Sequence, residues 1–350
     1  MIKYLIGFVF LWFLFFFFDF PASAQDESLP EKDSVNGYFI TYPKLLGSRL
    51  YMSRKYTALE MEDKIGGEKA LFWPNTTHNL GIGATYDFFT LNLAYGFGFM
   101  NRDIGLGNTR YLDLQAHIYP KKYVIDLFAQ FYRGYHLLPS RKFAPEGSEF
   151  FLRPDIRVIK LGASFQFLSN PEQFSYRAAF QQNERQIKSA GTFLYGMEWY
   201  AGSVRGDSTL LPSRDLTGAE REFQYINFFE IGPSGGAAYT LVFKKYFFIT
   251  VSASANLSVG YTALDGDALR NSSWRFNPNF FGRAFVGYNN DKWSINANIV
   301  HNNIRLAENS GFQNSLMTGN YRINFIYRFD PGPKFRRQFD KYNPLNLLIN

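Results

Sequence analysis

Four histidines are present, at positions 78, 117, 136 and 301, and one of them has a partner fixed by spacing. If Lys121-Lys122 form a two-residue turn between antiparallel strands, His117 falls opposite Asp126, and Asp113 falls opposite Gln130. A His–Asp pair can orient the base that activates a nucleophile. No serine in a recognisable hydrolase context stands nearby, however, and the spacing supplies no third member. The favoured reading is a hydrogen-bonded pair inside a closed structure that holds strand register. The other histidines are scattered without ligand spacing, so no metal site is expected. Cysteine is absent, which excludes a thiolate metal site, a Cys nucleophile, a disulfide framework and a lipid-modified N-terminal Cys. No catalytic residue and no cofactor is expected.

Glycine-rich stretches carry no phosphate chemistry. Gly105-Leu-Gly107 lies between strands, without the strand-to-helix context a phosphate loop needs. Gly232-Pro-Ser-Gly-Gly236 reads as a tight turn between two short strands. Gly81, Gly83, Gly96 and Gly98 are expected on inward faces. They serve either curvature, the favoured reading, or room for a plug or solute.

The elements that position these residues are strands. Leu80, Ile82, Ala84 and Tyr86 alternate with Asn79, Gly81, Gly83 and Thr85. Leu91, Leu93, Tyr95, Phe97 and Phe99 continue that face across a turn at Asp87-Phe88. The same period of two recurs to Tyr321, Ile323, Phe325, Tyr327 and Phe329. The spacing predicts strands over 48–60, 77–87, 89–99, 109–119, 122–137, 153–168, 173–184, 191–204, 223–231, 235–243, 246–263, 274–288, 292–305 and 319–329. The fold class is all-β: a transmembrane antiparallel β-barrel of about 14 strands, or 12 if 223–231 and 235–243 do not both span. Short periplasmic turns and longer extracellular loops are expected.

Composition supports the membrane. The chain of 350 residues holds 39 Phe, 23 Tyr and 5 Trp, with 19% charged residues, a balance no disordered chain has. Its mean hydropathy of −0.22 excludes a bundle of apolar helices. A single-layer barrel reconciles the two, with aromatics toward lipid and Gly, Ser, Asn and Gln toward the lumen. A soluble β-sandwich also alternates, but its polar face would be rich in Lys and Glu.

At the N-terminus, Lys3, the apolar run Leu5 to Phe18 and Ala22-Ser23-Ala24 read as a secretory signal peptide over 1–24. Residues 25–47 are a periplasmic segment or plug, 48–329 the barrel and 330–350 a periplasmic tail. Parity places Arg49, Lys55, Lys160, Arg177, Arg283, Arg322 and Arg328 inward, against Asp113, Asp126 and Glu198. That basic lumen either favours anions or braces a closed interior. The net charge of +7 is dispersed on an exported chain, so nucleic acid is excluded as a partner. Outer-membrane lipid is an expected partner, and so is the barrel-assembly machinery through the last strand.

Several stretches resemble the domain of unknown function 4421 family, outer-membrane proteins of Bacteroidota. They are Asn79–Tyr86, Thr90–Phe99, Tyr111–Gln115, Val124–Phe128, Phe174–Phe180, Lys188–Gly191 and Gly232–Gly236. The resemblance runs from about 37 to 260. It implies an outer-membrane β-barrel and no activity. Three roles follow: a channel or transport-related protein for small solutes, preferred on the sequence; a structural or assembly component; and a barrel enzyme acting on lipid or peptide through His117 and Asp126.

Overall fold

The computed structural model describes residues 33–35, 37–67, 69–87, 89–139, 148–211, 222–267 and 269–342. The signal-peptide reading of 1–24 lies outside these residues, as do residues 343–350. Sixteen strands follow one another. The first three are β1 (Asp33–Val35), β2 (Phe39–Thr41) and β3 (Leu46–Asp63). Next come β4 (Lys69–Trp73), β5 (Asn79–Tyr86), β6 (Phe89–Tyr95), β7 (Arg110–Ile118), β8 (Tyr123–Leu138) and β9 (Leu152–Leu168). A one-turn helix α1 (Tyr176–Phe180) precedes β10 (Glu184–Gln186). Then follow β11 (Ala190–Arg205), β12 (Tyr225–Phe243), β13 (Phe247–Asp265), β14 (Arg270–Asn289), β15 (Trp293–Arg305), β16 (Phe312–Phe329) and a helix α2 (Gly332–Tyr342).

Ten of these strands close a ring: β3, β4, β8, β9 and β11 through β16, with β16 pairing back to β3 from Phe329↔Leu46 to Phe312↔Asp63. Closure leaves the first and last strands no free edge. Alternation accounts for the wall. Along β12 the residues Ile226, Phe228, Glu230, Ser234, Ala238 and Thr240 are buried, while Tyr225, Phe229, Ile231, Tyr239, Leu241 and Phe243 are exposed. The exposed set is apolar on strand after strand, including Leu161, Ile249, Val251, Val286, Ile295, Ile299 and Ile323.

Aromatic rings collect where strands end. At the end where the chain enters β3 and leaves β16, called here the terminal end, Tyr123, Phe165, Phe167 and Tyr195 form one run of ring contacts. Phe243, Phe247, Tyr288, Trp293 and Phe325 form another. Toward the opposite end stand Tyr261 with Trp274, and Tyr56 between Trp73 and Tyr321. An aliphatic band between two aromatic belts is the outer surface a bilayer demands.

Neither expected strand count is observed, for three reasons. First, 173–184 is no wall strand: Ser175 Oγ accepts from Ala178 N and caps α1, and Tyr176 stacks on Phe180 one turn later at 4.4 Å. Second, 223–231 and 235–243 are one strand. The Gly232-Pro233 break is bridged by Asn256, whose side-chain amide donates to both carbonyls at 2.6 and 3.0 Å, so the strand continues through a proline. Third, the spacing predicts no strand over 61–76, yet β4 forms there, ending before Pro74, with Ala70 and Phe72 fully buried. The strand read as 89–99 also stops at Tyr95, with a 3-10 turn at Gly98–Met100.

The remaining strands β5, β6 and β7 widen the wall at the terminal end. There β5 takes the edge of β3 over Leu46–Ser53, while β4 takes it over Leu59–Glu62. On the other side β7 pairs β8 over Ile125–Arg133, and β4 pairs it over His136–Leu138. The switch falls at Gly134, at φ +91 beside the carbonyl of Asn108, where the β8–β9 register shifts. β6 pairs β5, and among the described residues no ladder joins β6 to β7.

Candidate functional site

The interior toward the opposite end is an apolar core. Leu59, Met61, Phe72, Leu137, Ile156 and Leu316 are buried within it, and Phe312 and Phe223 meet edge to face. A water-filled passage needs polar lining, and this half offers side chains packed on one another.

The middle of the lumen is polar and built as expected from the register. His117 pairs with Asp126 and Asp113 with Gln130. His117 Nδ1 and Asp126 Oδ1 lie 2.6 Å apart. The same carboxylate accepts from Tyr119 Oη at 3.0 Å and from Arg283, which crosses from β14. Asp113 accepts from Lys55, Gln115, Gln130 and Tyr132. Lys160 donates to Asn302 and Thr318 at 2.7 and 2.9 Å and is 1% exposed. Glu198 accepts from Tyr200 and Gln166. Asp126 is fully buried, whereas the His117 side chain is 37% exposed. Among the described residues no three His, Asp or Glu gather as a metal set.

The terminal end is closed by the chain itself. Residues 169–189 leave β9, turn inward and return to β11, and β10 joins β2 and β1 in a three-stranded sheet. Arg49 donates to Gln181 O at 2.8 Å. Arg328 donates to Gln182 O, to Asn290 O at 2.7 Å and to Asn289 Oδ1 at 2.7 Å. Arg283 meets Tyr176 Oη at 2.6 Å, and Phe180 packs on Phe285. Arg185 and Tyr42 both donate to Asp291, at 3.0 and 2.9 Å. Burial pushes the Tyr42 hydroxyl up to about 12, against the pull of Arg328 and Arg185. Burial likewise pushes the Glu184 carboxyl above its ordinary range, although Arg177 stands 3.5 Å away and Ser175 donates to it. A cavity of about 260 Å³ remains beside this plug, lined by Phe39, Tyr119, Phe174, Tyr176, Arg177 and Glu184.

Of the expected lumen residues, Asp113, His117, Asp126, Gln130, Lys160, Arg283, Arg322 and Arg328 do project inward from wall strands. Arg177 does not: it sits on α1 and donates to Asp87 O at 2.6 Å, because the segment that carries it is plug and not wall. The N-terminal segment 37–45 joins the plug. The larger part, 169–189, was hidden by apolar residues at 174, 176, 178 and 180 that mimic a strand. Its signal was the Ser175 cap before Tyr-Arg-Ala-Ala-Phe. Gly81 and Gly83 leave space, and the Tyr51 ring and the Asn92 side chain occupy it.

Similar solved structures are the outer-membrane protease OmpT of Escherichia coli, the autotransporter NalP translocator domain of Neisseria meningitidis and the Pseudomonas putida toluene transporter TodX. OmpT is 8% identical, covering 83% of this chain and 98% of that one, at a TM-score of 0.39. NalP is 12% identical, covering 81% and 88%, at 0.32, and TodX is 10% identical, covering 81% and 90%, at 0.27. No curated protein sequence matches the chain. A family model described as Domain of unknown function (DUF4421) matches residues 31–329, and the chain belongs to that family.

Proposed function

We propose that the chain spans the outer membrane as a β-barrel with a closed lumen and serves there as a binding or structural component, not as an open pore. Export through the N-terminal signal would bring it there. The outward apolar band between aromatic belts supports the membrane placement. The observation that carries the closed reading is the filled interior: apolar core at one end, paired charges in the middle and residues 169–189 at the other. We assign no catalysis to His117, because its partner Asp126 already serves Tyr119 and Arg283.

A gated transport role is the second reading. It is favoured by the way the plug is seated: it is one loop between β9 and β11, tied to the wall in part by guanidinium-to-carbonyl bonds from Arg49 and Arg328 that water can replace. Planar-bilayer recording decides between them. The wild type is expected to pass no current, and liposomes carrying it should not swell in small sugars. A steady current from the wild type overturns the closed barrel. Current that appears only when 172–187 is replaced by a short Gly-Ser turn supports the gated reading.

A further inference from the structure

The gap between β6 and β7 breaks a rule that membrane walls obey, because backbone polar groups facing lipid need partners. The two-residue turn makes Tyr86↔Phe89 a hydrogen-bonded pair, so alternation turns the backbone groups of Thr90, Asn92 and Ala94 toward the gap. Across it, β7 turns Asp113 and His117 the same way: their carbonyls accept not from a strand but from Lys55 Nζ at 3.2 Å and Gln181 Nε2 at 3.3 Å. Thr90, Asn92, Asp113 and His117 give these rims polar side chains, and the outer faces beside them carry the exposed Leu91, Tyr95, Leu112, Leu114 and Ile118. The wall therefore has a polar slot that opens sideways into an apolar surface.

Three cations stand behind this slot. Arg49 donates to Asn92 Oδ1, on one rim, at 3.0 Å. Lys55 reaches Asp113, on the other rim, at 3.0 Å. Arg322 lies opposite Ser53, between the two on the inner face, and stacks at 4.5 Å on the Tyr51 ring, which covers Gly81, the partner of Ala94 on the rim. Asp113 pairs with Lys55, and its oxygens are also taken by Gln115, Gln130 and Tyr132. Among the described residues the Arg322 guanidinium donates no hydrogen bond, and Arg49 Nε is buried without an acceptor. A guanidinium withdrawn from water and left without an anion is costly.

We propose that the slot between β6 and β7 is a lateral binding site for a phosphate-bearing lipid headgroup. The phosphate takes the free donors of Arg322 and Arg49, the glycerol region lies between the polar rims, and the acyl chains stay outside against Leu91, Tyr95, Leu112 and Leu114. Arginine suits this role because its fork of donors matches phosphate oxygens. The site rests on the membrane placement proposed above.

The test is native mass spectrometry of the full-length mature protein, delipidated in neutral detergent and titrated with phosphatidylglycerol or with diacylglycerol. The wild type is expected to hold one phosphatidylglycerol at least about tenfold more tightly than diacylglycerol, which lacks the phosphate. Arg322→Gln, which removes no hydrogen bond of the fold, should abolish that preference, and Arg275→Gln, far from the slot, should keep it. Folding of each variant is checked by its heat-modifiable gel shift. Equal binding of both lipids, or an unchanged preference in folded Arg322→Gln, overturns the proposal. Displacement of the lipid by millimolar inorganic phosphate would show a free-phosphate site and likewise overturns lateral lipid entry, as does occupation of the slot by co-purified peptide. Failure of the protein to insert into lipid vesicles would instead defeat the membrane placement itself.

Discussion

Arg283 on β14 and Asp126 on β8 meet across the lumen, 157 residues apart in sequence, and both are almost fully buried. Their contact ties opposite walls of the barrel together and carries the plug with it, because the same guanidinium bonds Tyr176 on α1. Removing one partner leaves the other charge buried without compensation. Asp126→Asn or Arg283→Gln is therefore expected to destabilise the folded barrel by about 3–5 kcal/mol. Urea unfolding followed by the heat-modifiable gel shift measures this. An apolar double replacement, Asp126→Leu with Arg283→Met, should recover much of the loss, since it removes both desolvation costs together.

His117 separates a structural pair from a catalytic one. Its ring is partly exposed while its carboxylate partner is fully buried, so the partner keeps Arg283 and Tyr119 when the ring is removed. His117→Ala is expected to leave the gel shift, the closed conductance state and growth unchanged. If a lipid or peptide hydrolase activity is found in the purified protein and is lost in His117→Ala, the enzyme reading replaces the structural one.

The wall was legible in the sequence because a period of two and a short turn fix register almost alone. The pairs Tyr86↔Phe89 and His117↔Asp126 follow from parity and are observed. The plug was not legible, because Phe174, Tyr176, Ala178 and Phe180 have the same period-two appearance whether they face lipid or a lumen. Only the tertiary partners of Tyr176, namely Arg283 and Ser252, distinguish the cases. Gly232-Pro233 misled for a related reason: the compensating group, Asn256, lies on the next strand. The use of the inward arginines was not legible either. Arg328 and Arg49 hold plug carbonyls, an arrangement that charge counts cannot show.

The plug should respond to pH through Glu184. Its folded pKa lies above the ordinary Glu value, chiefly through burial, so the neutral carboxyl is the form the plug favours. Its contribution is fully present below the unfolded value of about 4.3 and is lost as pH rises through the folded one. Glu184→Gln keeps an acceptor for Ser175 and removes the titration. The variant is expected to be at least as resistant to urea as the wild type at neutral pH, with a flatter stability profile as pH rises above the unfolded value. A variant markedly weaker at neutral pH would show that the Arg177 ion pair outweighs burial.

Arg328 joins wall and plug at the terminal end. Its donors reach Gln182 O, Asn290 O and Asn289 Oδ1 from the end of β16, and its guanidinium covers the Tyr42 ring at 4.8 Å. One side chain thus holds the 169–189 loop, the N-terminal segment and the 290–292 turn. Arg328→Gln is long enough to keep one of these bonds but not all, and it loses the cation over Tyr42. Amide hydrogen exchange is expected to quicken across 181–186 and 39–42, while the opposite-end half of the β12–β13 ladder, where Tyr225 to Ile231 pair with Val259 to Asp265, exchanges as in the wild type. Arg305→Gln, at the opposite end of β15, serves as the control and should leave both segments protected. Uniform acceleration across all strands would show that Arg328 supports the barrel as a whole, and unchanged exchange at 181–186 would show that the plug is held by packing on Phe285 and not by its guanidinium bonds.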